Sequence, residues 1–364
     1  MTCSINRQVM EHALNSSVLT PREELDMRAK TALLSVMAGL SAMTFVPTIA
    51  AAQDIKLAAS AIGRPPIFSN IFVDVGQAEG YWKKAGLDMS YRWFQRGTDT
   101  AKAVVTGDVQ VGFTATPPAV NLIASGAPVV VIAGMPNQDW IIASNEPDVK
   151  ECKDLKGKTV AADGINNTRT LFLQSVLQSC GLKMSDVKMI DLANAPLVKA
   201  GIAGQVHSGV WHIDELAQVE GKTGKKWKLV PMPKDIYADL HYAVVITSKK
   251  AIEESREGVI RFLVGWIQTQ KLMSSTKPAD QDKFAKIAAA ASTMDLAVAK
   301  ASIVDFQKLP YWVNDDGLNE KQLMAQVDQL VKVGVMKADT KPAYNKIVDR
   351  SLYAEAAKRV AAMK

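Results

Sequence analysis

The chain has 364 residues, enough for two compact lobes, and 48% of them are apolar, which is ordinary for a globular protein. Its 43 Lys and Arg residues outnumber its 37 Asp and Glu residues, and the net charge is +6. The charge is mild and dispersed, and no arginine-rich stripe with interleaved aromatic residues occurs. This composition argues against a nucleic-acid partner and weakly favours anionic ligands.

The first 52 residues have the pattern of a signal peptide. Residues 27–30 carry positive charge, residues 32–45 are mostly apolar, and residues 50–52 are small alanines. We expect cleavage before Gln53, with either Met1 or Met27 as the initiator. A retained membrane anchor is the alternative, although Gly, Ser and Pro residues interrupt the apolar stretch. The expected location of the mature protein is the periplasm.

The strands and helices alternate along the first part of the mature chain. Apolar and polar residues alternate at the start of this part of the chain. Glycine or a polar residue separates each element from the next. The continuous apolar run at 129–133 is typical of a parallel strand that is covered on both faces. Strands are predicted at 55–60, 87–94, 109–113 and 129–133, and helices at 67–84, at 97–107 and from Pro117.

A second lobe is predicted to begin after a strand at 140–143. The strand at 241–248 then returns to the first lobe, and the chain beyond it is mostly helical. The fold class is therefore α/β, with two doubly wound lobes joined by two hinge crossings, near 140 and near 243. The predicted division is 1–52 for the N-terminal extension, 53–140 and 243–364 for the first lobe, and 141–242 for the second lobe.

Cys152 and Cys180 are the two cysteines that follow the cleavage site, and both fall in the second lobe. In an oxidising compartment they either form a disulfide, which would stabilise this lobe by about 3 kcal/mol, or remain separate thiols. Neither cysteine belongs to a Cys-x-x-Cys pair, which argues against redox catalysis and against a zinc site.

Five segments resemble periplasmic solute-binding proteins of the nitrate, sulfonate and taurine importers. They are residues 79–88, 107–113, 154–160, 181–187 and 203–206, and they follow the order of that family. The resemblance implies a type II periplasmic-binding fold with a ligand held between the lobes. It also implies delivery to the permease and ATPase subunits of an ABC importer by a monomer without a cofactor.

This chain departs from the family on the second lobe. His207 stands where many relatives carry an aspartate, and residues 210–215 lie where relatives vary with their ligand. This departure bears on the identity of the substrate rather than on the fold. A sulfonate or taurine-like anion is the first expectation, and an aromatic carboxylate or a pyrimidine precursor is the alternative.

Ligand contacts on the first lobe are expected from donors at strand ends and helix starts. Arg64 has a solvated loop arginine as its alternative role, and the two threonines have helix capping as theirs. The candidates are Arg64, Phe68, Gly97, Thr98, Thr114, Thr116, Asn137 and Gln138.

On the second lobe, a polar run precedes a helix, where free N–H groups and the helix dipole favour an anion. Arg169 suits a bidentate oxyanion contact, with a surface ion pair as the alternative. Trp211 and His212 are predicted to form the opposite wall of the cleft, although Trp211 also suits a core position. The candidates are Asn166, Asn167, Thr168, Arg169, Trp211 and His212.

An exported enzyme on the same fold is the more distant alternative. The sequence has no Gly-x-Ser-x-Gly elbow. His207 and His212 are five residues apart on a predicted strand, so they face opposite sides and suit one metal ion poorly. We expect no catalytic residue and no metal ligand.

Overall fold

The structure is a computed structural model that describes residues 54–164, 167–192, 194–233 and 240–363. Residues 53–364 form one compact unit. The predicted signal peptide and the candidate Asn166 lie outside the described residues, so both stay predictions.

The first sheet has five strands in the order β2-β1-β3-β10-β4. β1 pairs in parallel with β2 along its whole length and with β3, whereas β10 pairs antiparallel with β3 and β4. The strands are β1 (Ile55–Ile62), β2 (Leu87–Phe94), β3 (Val111–Ala115), β4 (Val129–Met135) and β10 (Ala243–Ser248).

The prediction of a parallel strand at 129–133 is half right. Alternate residues of β4 enter different cores, Val131 on one face and Ile132 on the other, so the strand is covered on both faces. Its partner in the sheet, however, is the antiparallel β10, which the chain inserts between β3 and β4 on its return. The apolar run reflects burial and carries no information on strand direction.

Helices between the strands cover the first sheet. The single helix predicted at 67–84 is wrong, because Gly80 adopts a left-handed conformation (φ 65°) and separates two short helices. These helices are α1 (Phe72–Ala78), α2 (Tyr81–Lys84), α3 (Gly97–Thr106) and α4 (Thr116–Ala124).

The second sheet has five strands in the order β7-β6-β8-β5-β9. β6 pairs in parallel with β7 and β8, and β5 pairs antiparallel with β8 and β9. The strands are β5 (Ile141–Ser144), β6 (Thr159–Ala162), β7 (Lys188–Asp191), β8 (Ser208–Trp211) and β9 (Lys228–Leu229). The helices are α5 (Thr168–Ser179), α6 (Asn194–Ile202) and α7 (Ile213–Thr223). Of the two alternatives for the cysteines, the structure has the disulfide between Cys152 and Cys180.

The chain crosses between the sheets twice, once after β4 and once after β9. We call residues 54–135 and 243–363 lobe 1, residues 141–233 lobe 2, and residues 136–140 with 240–242 the hinge. The fold is thus the two-lobed periplasmic-binding arrangement that the sequence predicts. The domain limits at 140 and 243 fall in these crossings and stay a prediction.

Lobe 1 ends in helices. They are α8 (Lys249–Met273), α9 (Pro278–Ser292), α10 (Leu296–Lys308), α11 (Glu320–Lys332), α12 (Tyr344–Ile347) and α13 (Ser351–Ala362). Within the described part of the chain, no single helix has the length and apolarity to cross a membrane, and one helix pair, α9 with α10, meets that test across a bend of 116°.

Candidate functional site

Loops from both lobes meet at the hinge. The backbone N–H of Phe68, in the loop after β1, donates to the Asp214 carboxylate of lobe 2 over 2.9 Å. Nearby, Arg96 of lobe 1 pairs with Asp191 of lobe 2 at 2.8 Å. The residues between these contacts form the cleft, where strand ends and helix starts bring donors and charges together.

Arg169 lies inside lobe 2 in a buried ion pair. It occupies the first turn of α5, and its two terminal nitrogens lie 2.8 and 3.1 Å from the Glu215 carboxylate. Nη1 also donates to the carbonyl of Val210, and both charged side chains are 1% exposed. The surface ion pair considered from the sequence is therefore wrong. The terminal nitrogens are engaged by Glu215, which leaves little of the guanidinium for a ligand.

The Arg169 charge stabilises the ionised form of Glu215. Burial opposes the ionisation of Glu215, but the Arg169 guanidinium outweighs it and holds the pKa of Glu215 below its ordinary value. Glu215 also accepts the backbone N–H of His212 at the start of α7. The pair therefore fixes the start of α7 against β8 and α5.

A second buried pair joins the hinge to lobe 2. Nδ1 of His212 lies 2.8 Å from the carboxylate of Asp139, which also accepts the N–H of Ile213. Burial alone would lower the pKa of His212, yet the Asp139 carboxylate raises it above its ordinary value. The Asp139 carboxylate thus favours the protonated form of His212 at the hinge.

Asp214 is the third buried acid of the cleft. Its Oδ2 accepts the N–H of Phe68, while Oδ1 has no hydrogen-bond partner among the described residues. Burial raises the pKa of Asp214 to about 7. Near neutral pH this group is present both as a carboxylate, whose Oδ1 needs a donor, and as a neutral acid, which needs an acceptor for its O–H.

The lobe 1 face of the cleft is neutral. Thr114 donates to the carbonyl of Gly97, and Thr116 lies 2.9 Å from Nδ1 of His241. The other ring nitrogen of His241 donates to the carbonyl of Gly317, so Nδ1 accepts from the Thr116 hydroxyl. Burial lowers the pKa of His241 to about 4, which keeps this ring uncharged. Neither threonine caps α4, in contrast to the alternative considered from the sequence.

Aromatic rings enclose the hinge pair. The ring of Trp140 lies 3.8 Å from that of His212, and the Arg169 guanidinium lies 4.9 Å from the Trp140 ring. Tyr242 packs edge-on against His212 and contacts Tyr311. These rings exclude water around the two ion pairs, which strengthens the charge interactions inside.

Several predicted site residues have other roles. Trp211 is fully buried in lobe 2 against Trp227, so its prediction as a cleft wall is corrected. The reason is strand alternation, which places Trp211 on the α6 and α7 side of β8 and leaves His212 for the hinge. Arg64 pairs with Asp74 and stacks on Trp93 at 3.6 Å within lobe 1.

Other candidates are held by local bonds. Asn137 donates to the carbonyl of Pro310, and Asn167, at the N-cap position of α5, donates to the carbonyl of Gly164. The side chain of Phe68 packs in the core, and only its backbone faces lobe 2. Thr98 lies half-buried at the start of α3, beside Gly97.

Three buried donors of the cleft lack a partner within the described parts of the chain. They are Nε2 of Gln138, Oγ1 of Thr168 and Nε of Arg169. Buried donors are almost always paired, and all three belong to segments that reach the hinge or the start of α5. They are candidates for the acceptor atoms of a ligand.

Sequence reasoning missed the acids of the site, which are Asp139, Asp214 and Glu215, and the rings of Trp140 and Tyr242. A signal was present, because Asp139 follows the candidate Gln138 directly, and Asp214 and Glu215 lie in the segment that departs from the family. Among the described residues, no group of three or more His, Cys, Asp or Glu side chains suits a metal ion.

Comparisons with known proteins agree with the fold. A family model described as NMT1/THI5 like matches residues 68–270. The taurine-binding periplasmic protein of Escherichia coli (strain K12) is 24% identical over 177 residues, which cover 47% of this chain and 52% of that protein. The chain thus spans about half the length of this curated relative.

Solved structures share the fold at low identity. The alkanesulfonate-binding protein SsuA from Xanthomonas axonopodis pv. citri, bound to MOPS, is 17% identical with a TM-score of 0.63, covering 84% of this chain and 99% of that one. The nitrate-binding protein NrtA from Synechocystis PCC 6803 is 14% identical with a TM-score of 0.68, covering 84% and 89%. The desulfurization enzyme DSZB, 12% identical with a TM-score of 0.58 and coverage of 84% and 99%, shows that the fold alone does not decide between binding and catalysis.

The family match covers more than half of the chain and includes most of both sheets and the hinge. The chain belongs to the NMT1/THI5-like family.

Proposed function

We propose that this protein is the periplasmic substrate-binding component of an ABC importer. It captures a small organic sulfonate, with a taurine-like amino sulfonate as the first candidate, in the cleft between the lobes. The captured ligand is passed to permease and ATPase subunits. An aromatic carboxylate or a pyrimidine precursor in the same role is the alternative.

The observation that carries this proposal is the unpaired hydrogen-bonding capacity at the hinge. Among the described residues, Gln138, Thr168 and Arg169 each keep a buried donor without a partner, and Asp214 keeps a buried acceptor. Three donors suit the oxygens of a sulfonate, and one carboxylate oxygen suits an amine. Gln138 belongs to the hinge, and Thr168, Arg169 and Asp214 belong to lobe 2.

The charge balance of the cleft favours a zwitterion over a bare anion. Arg169 and His212 are the buried basic side chains, while Asp139, Glu215 and Asp214 are the buried acids. Each basic side chain pairs with one acid, Arg169 with Glu215 and His212 with Asp139. A small anion such as nitrate would meet no uncompensated positive charge here, whereas a ligand with one charge of each sign adds no net charge to the buried site.

The ligand is captured when the two lobes close around it. Only a ligand that touches both lobes stabilises the closed arrangement over the open one. In this structure the hydrogen bond from the Phe68 N–H to Asp214 joins the lobes at the cleft. We expect the same bond to form when open lobes close, so that a ligand beside Asp214 is enclosed.

The geometry gives less support to an enzyme. The hydroxyl of Thr116 meets His241, but the other nitrogen of that ring bonds the carbonyl of Gly317 where a catalytic triad has a carboxylate. His212 has its carboxylate, Asp139, yet no Ser, Thr or Cys side chain hydrogen-bonds its ring in the described ranges. A nucleophile, a base and an orienting acid are therefore not brought together.

A thermal-shift screen followed by calorimetry tests the proposal. The panel contains taurine, alkanesulfonates, nitrate, phthalate-like acids and pyrimidines. A ligand at 100 times its dissociation constant should stabilise the fold by about 2.7 kcal/mol and should bind 1:1 without turnover. Silence across the whole panel, or turnover of a bound compound, would overturn the proposal.

A further inference from the structure

A pocket of about 220 Å³ flanks the cleft on the lobe 2 side. Its walls come from three parts of the chain: the loop at Pro65–Ile67 of lobe 1, helices α6 and α7 of lobe 2, and the turn at 292–294 between α9 and α10. The pocket therefore depends on the position of one lobe against the other.

The interior of this pocket is mostly apolar. Pro66, Ile67, Val198 and Met294 line it and offer no charge to a ligand. A ligand part with a short hydrocarbon chain would bury its apolar surface there.

Two acids reach the pocket, and only one of them is available. Glu215 is fully engaged by Arg169 and by the N–H of His212. Asp214 is 2% exposed and uses Oδ2 for the N–H of Phe68, while Oδ1 has no partner among the described residues. Asp214, a residue of the pocket wall, thus keeps one buried oxygen without a partner among the described residues, and this oxygen accepts a hydrogen bond when the group is a carboxylate.

Two amines also line the pocket. Lys199 on α6 and Lys222 on α7 belong to its wall, and Nζ of Lys222 lies 3.3 Å from the carboxylate of the exposed Asp295. Their positive charge favours the approach of a ligand that carries an anionic group, while the carboxyl group of Asp214 suits the cationic end of the same ligand.

We propose that Asp214 is a specificity-determining residue that accepts a hydrogen bond from the ammonium group of the ligand, whose hydrocarbon chain occupies this pocket. The inference rests on the proposed function and deepens it, because it selects amino sulfonates over sulfonates without an amine. Asp214 also bonds lobe 1, so recognition of the amine and closure of the lobes share one side chain.

The test compares two ligands that differ only in the amine, taurine and ethanesulfonate, by isothermal titration calorimetry. We expect the wild-type protein to bind taurine at least tenfold more tightly. In Asp214→Asn, the amide oxygen still accepts the N–H of Phe68, while the amide NH₂ replaces the free acceptor with a donor. This variant should lose the preference for taurine, and Asp305→Asn, an equal charge change on the exposed face of α10, should keep it.

A second variant tests occupancy of the pocket without touching the acid. Ala195 is half-buried on α6 and lines the pocket, so Ala195→Leu fills it while the helix keeps a good helix-forming residue. We expect taurine to bind at least tenfold more weakly to this variant.

The outcomes separate the inference from the proposed function. Equal binding of the two sulfonates, binding of neither, an unchanged preference in a folded Asp214→Asn protein, or unchanged taurine affinity in Ala195→Leu overturns the inference. The proposed function fails only when the whole panel is silent or a bound compound is turned over.

Discussion

The two faces of the cleft are equally buried but differ in charge. Lobe 1 contributes Thr114 and Thr116, which lie beside the neutral hinge residue His241, and all three are bonded to backbone carbonyls or to each other. Lobe 2 contributes Arg169 with Glu215, which carry full charges inside the protein. One face therefore offers dipoles, and the other offers charges.

This difference indicates which face of the cleft selects the ligand. A neutral face tolerates many ligands, because its hydrogen bonds are satisfied internally and it imposes no charge requirement. A charged face restricts the charge of the ligand, because burying an unmatched charge costs free energy. The residues at which the sequence is expected to depart from its relatives, 207 and 210–215, also belong to lobe 2, so the expected variation lies on the charged face.

The largest loss of stability is expected when a buried charge on the lobe 2 face loses its partner. Glu215→Gln leaves Arg169 buried without its counter-charge and should destabilise the protein by about 3 to 5 kcal/mol in urea unfolding. Arg350→Ala, which breaks a partly exposed pair with Asp316 on lobe 1, is the matched comparison and should cost less than about 1 kcal/mol. Similar losses in both variants would remove the distinction between the faces.

The second effect concerns pH and Asp214. Its pKa is raised from 3.8 to about 7, so the folded state holds a proton that the unfolded state releases above pH 4. The stabilising contribution of this proton is present below pH 4 and is lost as pH rises through 7, by about 4 kcal/mol in total. Urea unfolding between pH 4.5 and 8.5 should show that Asp214→Asn lacks this loss. A wild-type protein with the same pH profile as the variant would contradict the assignment.

The third effect has the opposite sign and belongs to the neutral face. His241 has its pKa lowered from 6.5 to about 4, so its contribution to stability is present above pH 6.5 and is lost as pH falls through 4. The expected loss is about 3 kcal/mol, and His241→Gln should flatten the acid limb of the stability profile. His207→Gln, at an exposed position, serves as the control and should leave that limb in place. A steep acid limb in the His241 variant would count against a neutral ring.

The smallest effect is expected at the contact between the faces. Arg96 and Asp191 form a partly exposed pair across the cleft, with side-chain exposures of 35% and 47%. Arg96→Ala should change the free energy of unfolding by less than about 1 kcal/mol. It should raise the ligand dissociation constant slightly, because it weakens the closed arrangement only. A loss of several kcal/mol in unfolding would instead make this pair part of the fold.

Much of the fold followed from the sequence, because strands and helices alternate between clear turn signals. The strand at 87–94 was predicted with the bounds that the structure shows. The interruption at Gly80 and the insertion of β10 beside β4 were not predicted. A left-handed glycine, and the pairing of strands more than 100 residues apart, leave little signal in the local sequence.

The candidate site was less predictable. Thr168 and Gln138 were named from their place at a helix start and a strand end, and their partnerless donors keep them as candidates. Trp211 and Arg64 were named from their places at a strand end and in a loop, which do not reveal that one faces a core and the other pairs with an acid of its own lobe. Asp214 was passed over although its segment was singled out, because a buried carboxyl and a solvated one look alike in the sequence at the start of a helix.

A crystal structure of the protein grown with taurine tests the central claim most directly. We predict one taurine between the lobes, with its nitrogen at hydrogen-bond distance, about 3 Å, from Oδ1 of Asp214 and with groups from both lobes around it. A taurine bound to one lobe alone, or one bound between the lobes with its amine turned away from Asp214, would contradict this account.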